Sequence, residues 1–295
     1  MKQTYLMIPL FVMGTTIGAR AQSGEQDSTG LPGDNFSLQG ALELFKEAKS
    51  PEAFEKMLNT ESNHVNNLDL NKDGKIDYIR VIDKQKGDAH ALILQTPISK
   101  RQRQDIAVIE IEKTGDATAS VQIVGDKDLY GEEKVVEPKA EENDSKGPAL
   151  SPDFYEYPSG IFVNAWFWPS VQFMYAPGYS LWVSPWNWDF YPDWWYPWYP
   201  MSYSAFYPFV IRYRPLYVYA PAVRLTYAHS IYAPYRTRSF YVRSHNAVVI
   251  NNYRTMRAAP MRVRTAPAPV YRAAPRSYGG GYGGFRGGGG FRRRR

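Results

Sequence analysis

The chain has 295 residues, 44% of them hydrophobic and 15% aromatic, and no cysteine, which excludes a disulfide framework, a thiol nucleophile, a Cys-based metal site and a lipidated cysteine. Its net charge of +6 hides a partition: from Trp194 to Arg295 there are 17 arginines and no acid, and subtracting these from the 35 basic residues leaves 18 against 29 acids before Trp194. That asymmetry argues against one evenly composed globule and points to a basic end with an anionic partner, or to a basic end that folds back on the acidic part.

Residues 1–21 read as a secretory signal peptide. Lys2 supplies the positive end, Tyr5 to Ile17 is mostly apolar, and Ala19-Arg20-Ala21 forms an A-x-A cleavage site. The apolar run is too short for a span of ~20 residues. The mature chain is therefore expected to be exported, to the periplasm, the outer-membrane surface or beyond, with no transmembrane helix after cleavage. Residues 22–35 are polar and rich in Gly, Ser and Asp, which predicts a flexible lead.

A small α+β domain is predicted over residues 36–137. Ser37 caps a first helix carrying Leu38, Ala41, Leu42 and Phe45 on one face, and Ser50-Pro51 opens a second with Phe54, Met57 and Leu58. Then the period changes to two. Ile76 to Ile82, Ala89 to Thr96, Asp105 to Glu112 and Ser120 to Val124 read as about four strands, the first of them central, with turns at Gln85 to Asp88 and Lys113 to Asp116. Short connections predict an antiparallel meander with one or two helices on one face.

Glu132 to Lys146 is charged and aperiodic, which predicts a linker over residues 138–152. Residues 153–250 are rich in aromatics and proline, with all eight tryptophans between Trp166 and Trp198 and the tripeptide Tyr-Ala-Pro at Tyr175, Tyr219 and Tyr232. Proline at this density predicts irregular structure, with edge strands between Phe209 and Val242. Residues 251–295 alternate Arg, Ala and Pro, then run through Gly-rich repeats to Arg292–Arg295, and are expected to be disordered.

The most specific local signal is Asp69-Leu70-Asn71-Lys72-Asp73-Gly74-Lys75-Ile76-Asp77. Oxygen ligands at alternate positions with glycine at the sixth suit calcium, with Asp69, Asn71, Asp73, the Lys75 carbonyl and Asp77 as the ligand set. An EF-hand needs an acid at position twelve, and Arg80 stands there. The loop resembles those of integrin-type FG-GAP repeats, a resemblance over nine residues that implies a calcium site and no fold or activity. A polar hairpin turn built from Asn, Asp and Gly is the plainer alternative.

The tail, with Arg286 and Arg292, Arg293, Arg294 and Arg295, resembles the RGG segments of RNA-binding proteins. Arginine neutralises phosphate and pairs with carboxylate in general, so after export the partners implied are anionic surface polymers or a membrane surface, with nucleic acid as the alternative. Trp194, Trp195 and Trp198 supply candidate apolar contact to a membrane or a sugar ring, or pack as a local core. His64, His90, His229 and His245 have no metal-ligand spacing and read as structural. No catalytic constellation is visible, so a non-enzymatic envelope protein is expected. A carbohydrate-active protein ranks last, because Asp189 and Asp193 are the only acids between Tyr157 and Trp198. As a whole the chain resembles a family of secreted bacterial proteins with a D-x-N-x-D-G loop domain, a Trp/Tyr/Pro-rich region and an Arg-rich tail, which implies no activity.

Overall fold

The structure, a computed structural model, describes residues 28–139 and 163–258. The signal-peptide stretch and the tail beyond Ala258 lie outside the described residues, as does most of the linker. Helices α1 (Leu38–Glu47) and α2 (Pro51–Leu58) begin where their caps predict them. Ser37 Oγ accepts from Gly40 N at 3.0 Å and Ser50 Oγ from Ala53 N at 3.1 Å, so each serine satisfies a first-turn donor that has no partner within the helix. Phe45 and Phe54, from the two apolar stripes, meet edge to face with centroids 5.4 Å apart.

The strands are β1 (Arg80–Lys86), β2 (Ala89–Pro97), β3 (Arg103–Gly115), β4 (Thr118–Gly125), β5 (Lys134–Pro138) and β6 (Tyr217–Ala220). They form one antiparallel sheet in sequence order. The mixed α+β class and the meander are as expected, but there are six strands among the described residues rather than about four. β5 lies at the end of the predicted domain, in the charged run from Glu132 to Lys146 where no strand is expected. Its charged flanks mask Val135 and Val136, which point to opposite faces of the sheet and are both buried. β6 arrives from the aromatic region and pairs Tyr219 with Val136, a contact between residues too distant in sequence for local pattern to reveal.

β1 also departs from expectation. It starts at Arg80, not Ile76, and it is an edge strand rather than a central one. Between Ile76 and Val81 the backbone donors go elsewhere: Ile76 N to the Trp198 carbonyl (2.8 Å), Ile79 N to Asn59 Oδ1 (2.7 Å) and Val81 N to Glu55 Oε2 (2.9 Å). The free edge of β1 is covered by the tryptophan segment, with Asp83 N donating to the Trp182 carbonyl at 2.7 Å and Ser184 N to the Val81 carbonyl at 3.0 Å. That cover satisfies backbone groups that an edge strand otherwise leaves unpaired.

The aromatic region is not an irregular appendage. After the short α3 (Lys127–Tyr130), it supplies α4 (Pro169–Met174), α5 (Tyr203–Ile211) and α6 (Thr226–Tyr232), and α7 (Phe240–Ala258) follows. Val171 and Met174 of α4 join α1, α2 and one sheet face in the larger core, while Ala228, Ile231 and Tyr232 of α6 cover Ala91, Ile93 and Val108 on the other face. The sheet is thus buried on both sides, a three-layer arrangement in place of helices on one face only.

Ordered structure reaches into both stretches read as flexible or disordered. In the lead, Asp34 accepts from Ser28 Oγ, Thr29 N and Gly30 N at 2.7–3.0 Å, which pins residues 28–34. At the other end α7 runs to Ala258, with Val242 and Ile250 buried and Arg254 Nε donating to the Gly131 carbonyl at 2.7 Å.

Candidate functional site

The acidic loop crosses from the α2 side of the fold to β1. Lys72 (φ 60°) and Gly74 (φ 81°) both sit in the left-handed region, which glycine enters freely and lysine does not. The strained turn is held by its own side chains. Asp69 Oδ1 accepts from Asp73 N at 3.1 Å and its Oδ2 from Gly74 N at 3.0 Å, Asn71 Oδ1 accepts from Asp73 N at 2.9 Å, and Asp73 Oδ1 accepts from Lys75 N at 2.9 Å. Three oxygen-bearing side chains therefore fold inward over one turn. Asp77 lies beneath them, buried, with Oδ2 accepting from Leu70 N at 2.6 Å. Burial pushes its carboxyl well above the usual range, and the charges of Asp69 and Asp73 push in the same direction. The Lys75 side chain stays exposed, so only its carbonyl is a suitable ligand. Among the described residues no three Asp, Glu, His or Cys side chains converge as a metal-binding group.

The aromatic region clamps this loop. Besides the Trp198 carbonyl on Ile76, the Tyr241 hydroxyl donates to the Asn71 carbonyl at 2.9 Å. Trp195 is buried edge-on against Tyr78 at 5.1 Å, so its ring packs inside the protein. Trp198 is half-buried. Trp194 remains 41% exposed, with Lys56 Nζ 5.3 Å from its ring centre. Asp189 and Asp193 are both exposed on the surrounding loops.

Beside Trp194 lies a cleft of about 220 Å³ that local sequence does not reveal. Its walls are Tyr78, Trp182, Trp186 and Trp194, and its rim carries Glu52 and Lys56 from α2. At the floor is Glu55, only 2% exposed. Its Oε1 accepts from the Tyr78 hydroxyl at 2.8 Å and Ser184 Oγ at 2.7 Å; its Oε2 accepts from Val81 N at 2.9 Å and Trp182 Nε1 at 3.0 Å. All four carboxylate acceptor sites are filled. Burial raises the Glu55 carboxyl above its ordinary value even against these four bonds.

On the far sheet face and around α3 and α7 the two charge halves meet. Arg224 pairs with Glu137 at 2.6 Å, Arg236 with Asp126 at 3.1 Å and Glu133 at 3.2 Å, Arg238 with Asp128 at 3.5 Å, and Arg257 with Glu132 at 3.2 Å. His229 Nδ1 lies 2.7 Å from Glu110 Oε1, and this contact raises the imidazole above its ordinary value. Asp126 is pushed up to about 7, because its burial outweighs the attraction of Arg236. For residues 224–257, then, the basic end does fold back on the acidic part. Of the remaining three histidines, His64 stacks on Phe209 at 3.9 Å, His90 is fully buried with Nδ1 2.9 Å from Asp83, and His245 lies against the Tyr241 ring at 3.9 Å on the surface of α7.

Arg286 and Arg292–Arg295 lie outside the described residues. Among the described residues no helix is long and apolar enough to cross a membrane. Comparison with protein-family models, with curated proteins and with solved structures finds no match.

Proposed function

We propose that this is an exported, non-enzymatic envelope protein whose calcium-stabilised domain carries an arginine-rich extension that adheres to anionic surface polymers or to an anionic membrane surface. The observation that supports the reading is the distribution of charge partners. Arg224, Arg236, Arg238 and Arg257 face acids within the fold, whereas residues 259–295 carry nine arginines and no acid. The signal-peptide pattern at residues 1–21 supports export. It also disfavours the alternative, a nucleic-acid-binding role for the RGG-like tail inside the cell.

The test is binding of the full chain to lipopolysaccharide, an acidic polysaccharide, anionic vesicles and duplex DNA across a salt series. Affinity for a surface polyanion is expected to fall steeply with salt, as it does wherever arginines displace counterions. Replacing Arg286 and Arg292–Arg295 together by glutamine is expected to weaken it by about tenfold or more and to flatten the salt slope. Salt-insensitive binding, or equal binding by the variant, would remove the tail from the mechanism, and a preference for DNA would favour the alternative.

Calcium is the second part of the proposal. The donor set fits a hard cation: Asp69, Asn71, Asp73 and Asp77 with the Lys75 carbonyl are all oxygen ligands. Burial is the main cause that pushes the Asp77 carboxyl up, and the added push from the charges of Asp69 and Asp73 is what a bound cation relieves. Calcium at ~100 times its dissociation constant is expected to stabilise the fold by about 2.7 kcal/mol, a rise of about 5–10 °C in Tm. Asp69→Asn and Asp73→Asn should abolish the rise. Melting curves that are identical in calcium and in chelator would show that the loop is a side-chain-capped turn and nothing more.

A further inference from the structure

We infer that the cleft between α2 and the tryptophan segment is a binding site for a single neutral sugar ring. Three features of the site carry this beyond the polyanion reading, on which it does not depend.

The first is the shape of the walls. Trp182, Trp186 and Trp194 line a space of about 220 Å³, and the buried Tyr78 packs beneath them. That is below the roughly 300 Å³ at which sites for drug-sized ligands begin, and it suits one ring rather than a chain threaded through a tunnel. A pyranose has what these walls need, a flat face of C–H groups that packs on an aromatic plane.

The second is rigidity. Two of the rings are fixed before any ligand arrives, because the Tyr78 hydroxyl and Trp182 Nε1 both donate to the buried Glu55. Trp186 leans on Phe190 with centroids 5.4 Å apart. Aromatic side chains held in place lose little freedom on binding, which lowers the entropic cost of capturing a weakly interacting ligand.

The third is the rim. Glu52 supplies acceptors and Lys56 supplies donors, four residues apart on α2, beside the Ser50 cap. A hydroxyl both donates and accepts, so a polyhydroxylated ring satisfies both side chains at once. A quaternary ammonium, the other common guest of an aromatic cage, fits less well. The Lys56 ammonium lies 5.3 Å from the Trp194 ring centre, and its charge would repel a second cation there while donating to a sugar hydroxyl.

The experiment titrates the full chain with methyl glycosides of glucose, galactose, mannose and N-acetylglucosamine, followed by tryptophan fluorescence and calorimetry. Choline chloride is the competing probe. At least one glycoside is expected to bind saturably in the millimolar range with a change in tryptophan emission. Trp194→Ala and Trp186→Ala should each weaken it at least tenfold, which is ~1.4 kcal/mol. Both side chains are partly solvent-exposed, and an unchanged melting temperature would show that the loss is in binding. Lys56→Ala, on the exposed side of a helix that tolerates alanine, should weaken binding severalfold and serves if either tryptophan variant misfolds. The inference is overturned if no glycoside binds saturably, if the variants bind as the parent does, or if choline binds in preference. Polyanion binding measured on the same samples keeps failure of the cleft separate from failure of the tail.

Discussion

Glu55→Ala is expected to destabilise the protein by about 3–5 kcal/mol, whereas Glu55→Gln should cost about 1 kcal/mol. The difference follows from which atoms face each carboxylate oxygen. Oε2 accepts from Val81 N and Trp182 Nε1, two donors that cannot become acceptors. Oε1 accepts from the hydroxyls of Tyr78 and Ser184, which can rotate to accept instead. A glutamine that places its oxygen toward Val81 and its amide nitrogen toward Tyr78 and Ser184 keeps all four contacts. It also sheds the burial cost that holds the Glu55 carboxyl above its ordinary value. Alanine orphans the Val81 and Trp182 donors, at about 1–3 kcal/mol each for a buried group, and opens a void under the cleft. It also cuts the tie between α2, β1 and the tryptophan segment. Denaturant midpoints of the two variants decide the matter: an alanine variant within 1 kcal/mol of the parent, or a glutamine variant as damaged as alanine, would contradict this account.

Glu55 also shows where sequence reading stops. It sits on α2 next to Phe54 and passes for a residue of the solvated face, because its partners lie 23 to 129 positions away. What is written locally is legible: the serine caps, the apolar stripes of α1 and α2, the alternation of β2, β3 and β4, and the spacing of the acidic loop. What depends on distant pairing is not. β5 is hidden by its charged flanks, β6 falls among the edge strands expected between Phe209 and Val242 but its pairing with β5 does not show locally, and the cleft is assembled from α2, Tyr78 and Trp182 to Trp194, which no single window contains. The aromatic region reads from composition as either a contact surface or a local core. Its destination needs the structure, because the rings are shared between the edge of β1, the acidic loop and the core around α4. The charge partition is half legible in the same way. The sequence shows the surplus of acid and of base, and the fold shows that arginines of residues 224–257 pair with acids of residues 126–137.

That internal pairing has a consequence for pH. Stability of the full chain, measured in chelator to keep calcium binding out of the comparison, is expected to fall as the pH rises from about 5 to 8, and the buried Asp77 acts in the same direction. Asp105, Glu110, Asp126 and Glu137 on the far sheet face, with Glu55 on the near one, all titrate above their ordinary range, and burial is the largest cause in each case. A carboxyl raised in the folded state holds its proton at a pH where the unfolded chain has released it. The native form then binds more protons, and stability declines as pH climbs through the window between the two values. For Asp126 that window runs from the ordinary 3.8 to about 7. At about 1.4 kcal/mol per unit it contributes up to about 4 kcal/mol across the window. His229 acts in the same direction: its folded value is raised by Glu110, so its contribution is complete in mild acid and is lost as pH rises through that value. The usual opposition between carboxylates that favour neutral pH and histidines that favour acid is therefore absent on this face. Asp126→Asn should flatten the decline, and Arg236 would keep Glu133 at 3.2 Å as its partner. A midpoint that is level or rises between pH 5 and 8 would mean that the arginines of the basic segment hold these carboxyls ionised. In that case Arg236 and Arg224, rather than proton uptake, would be what keeps the acidic and basic parts of the chain together.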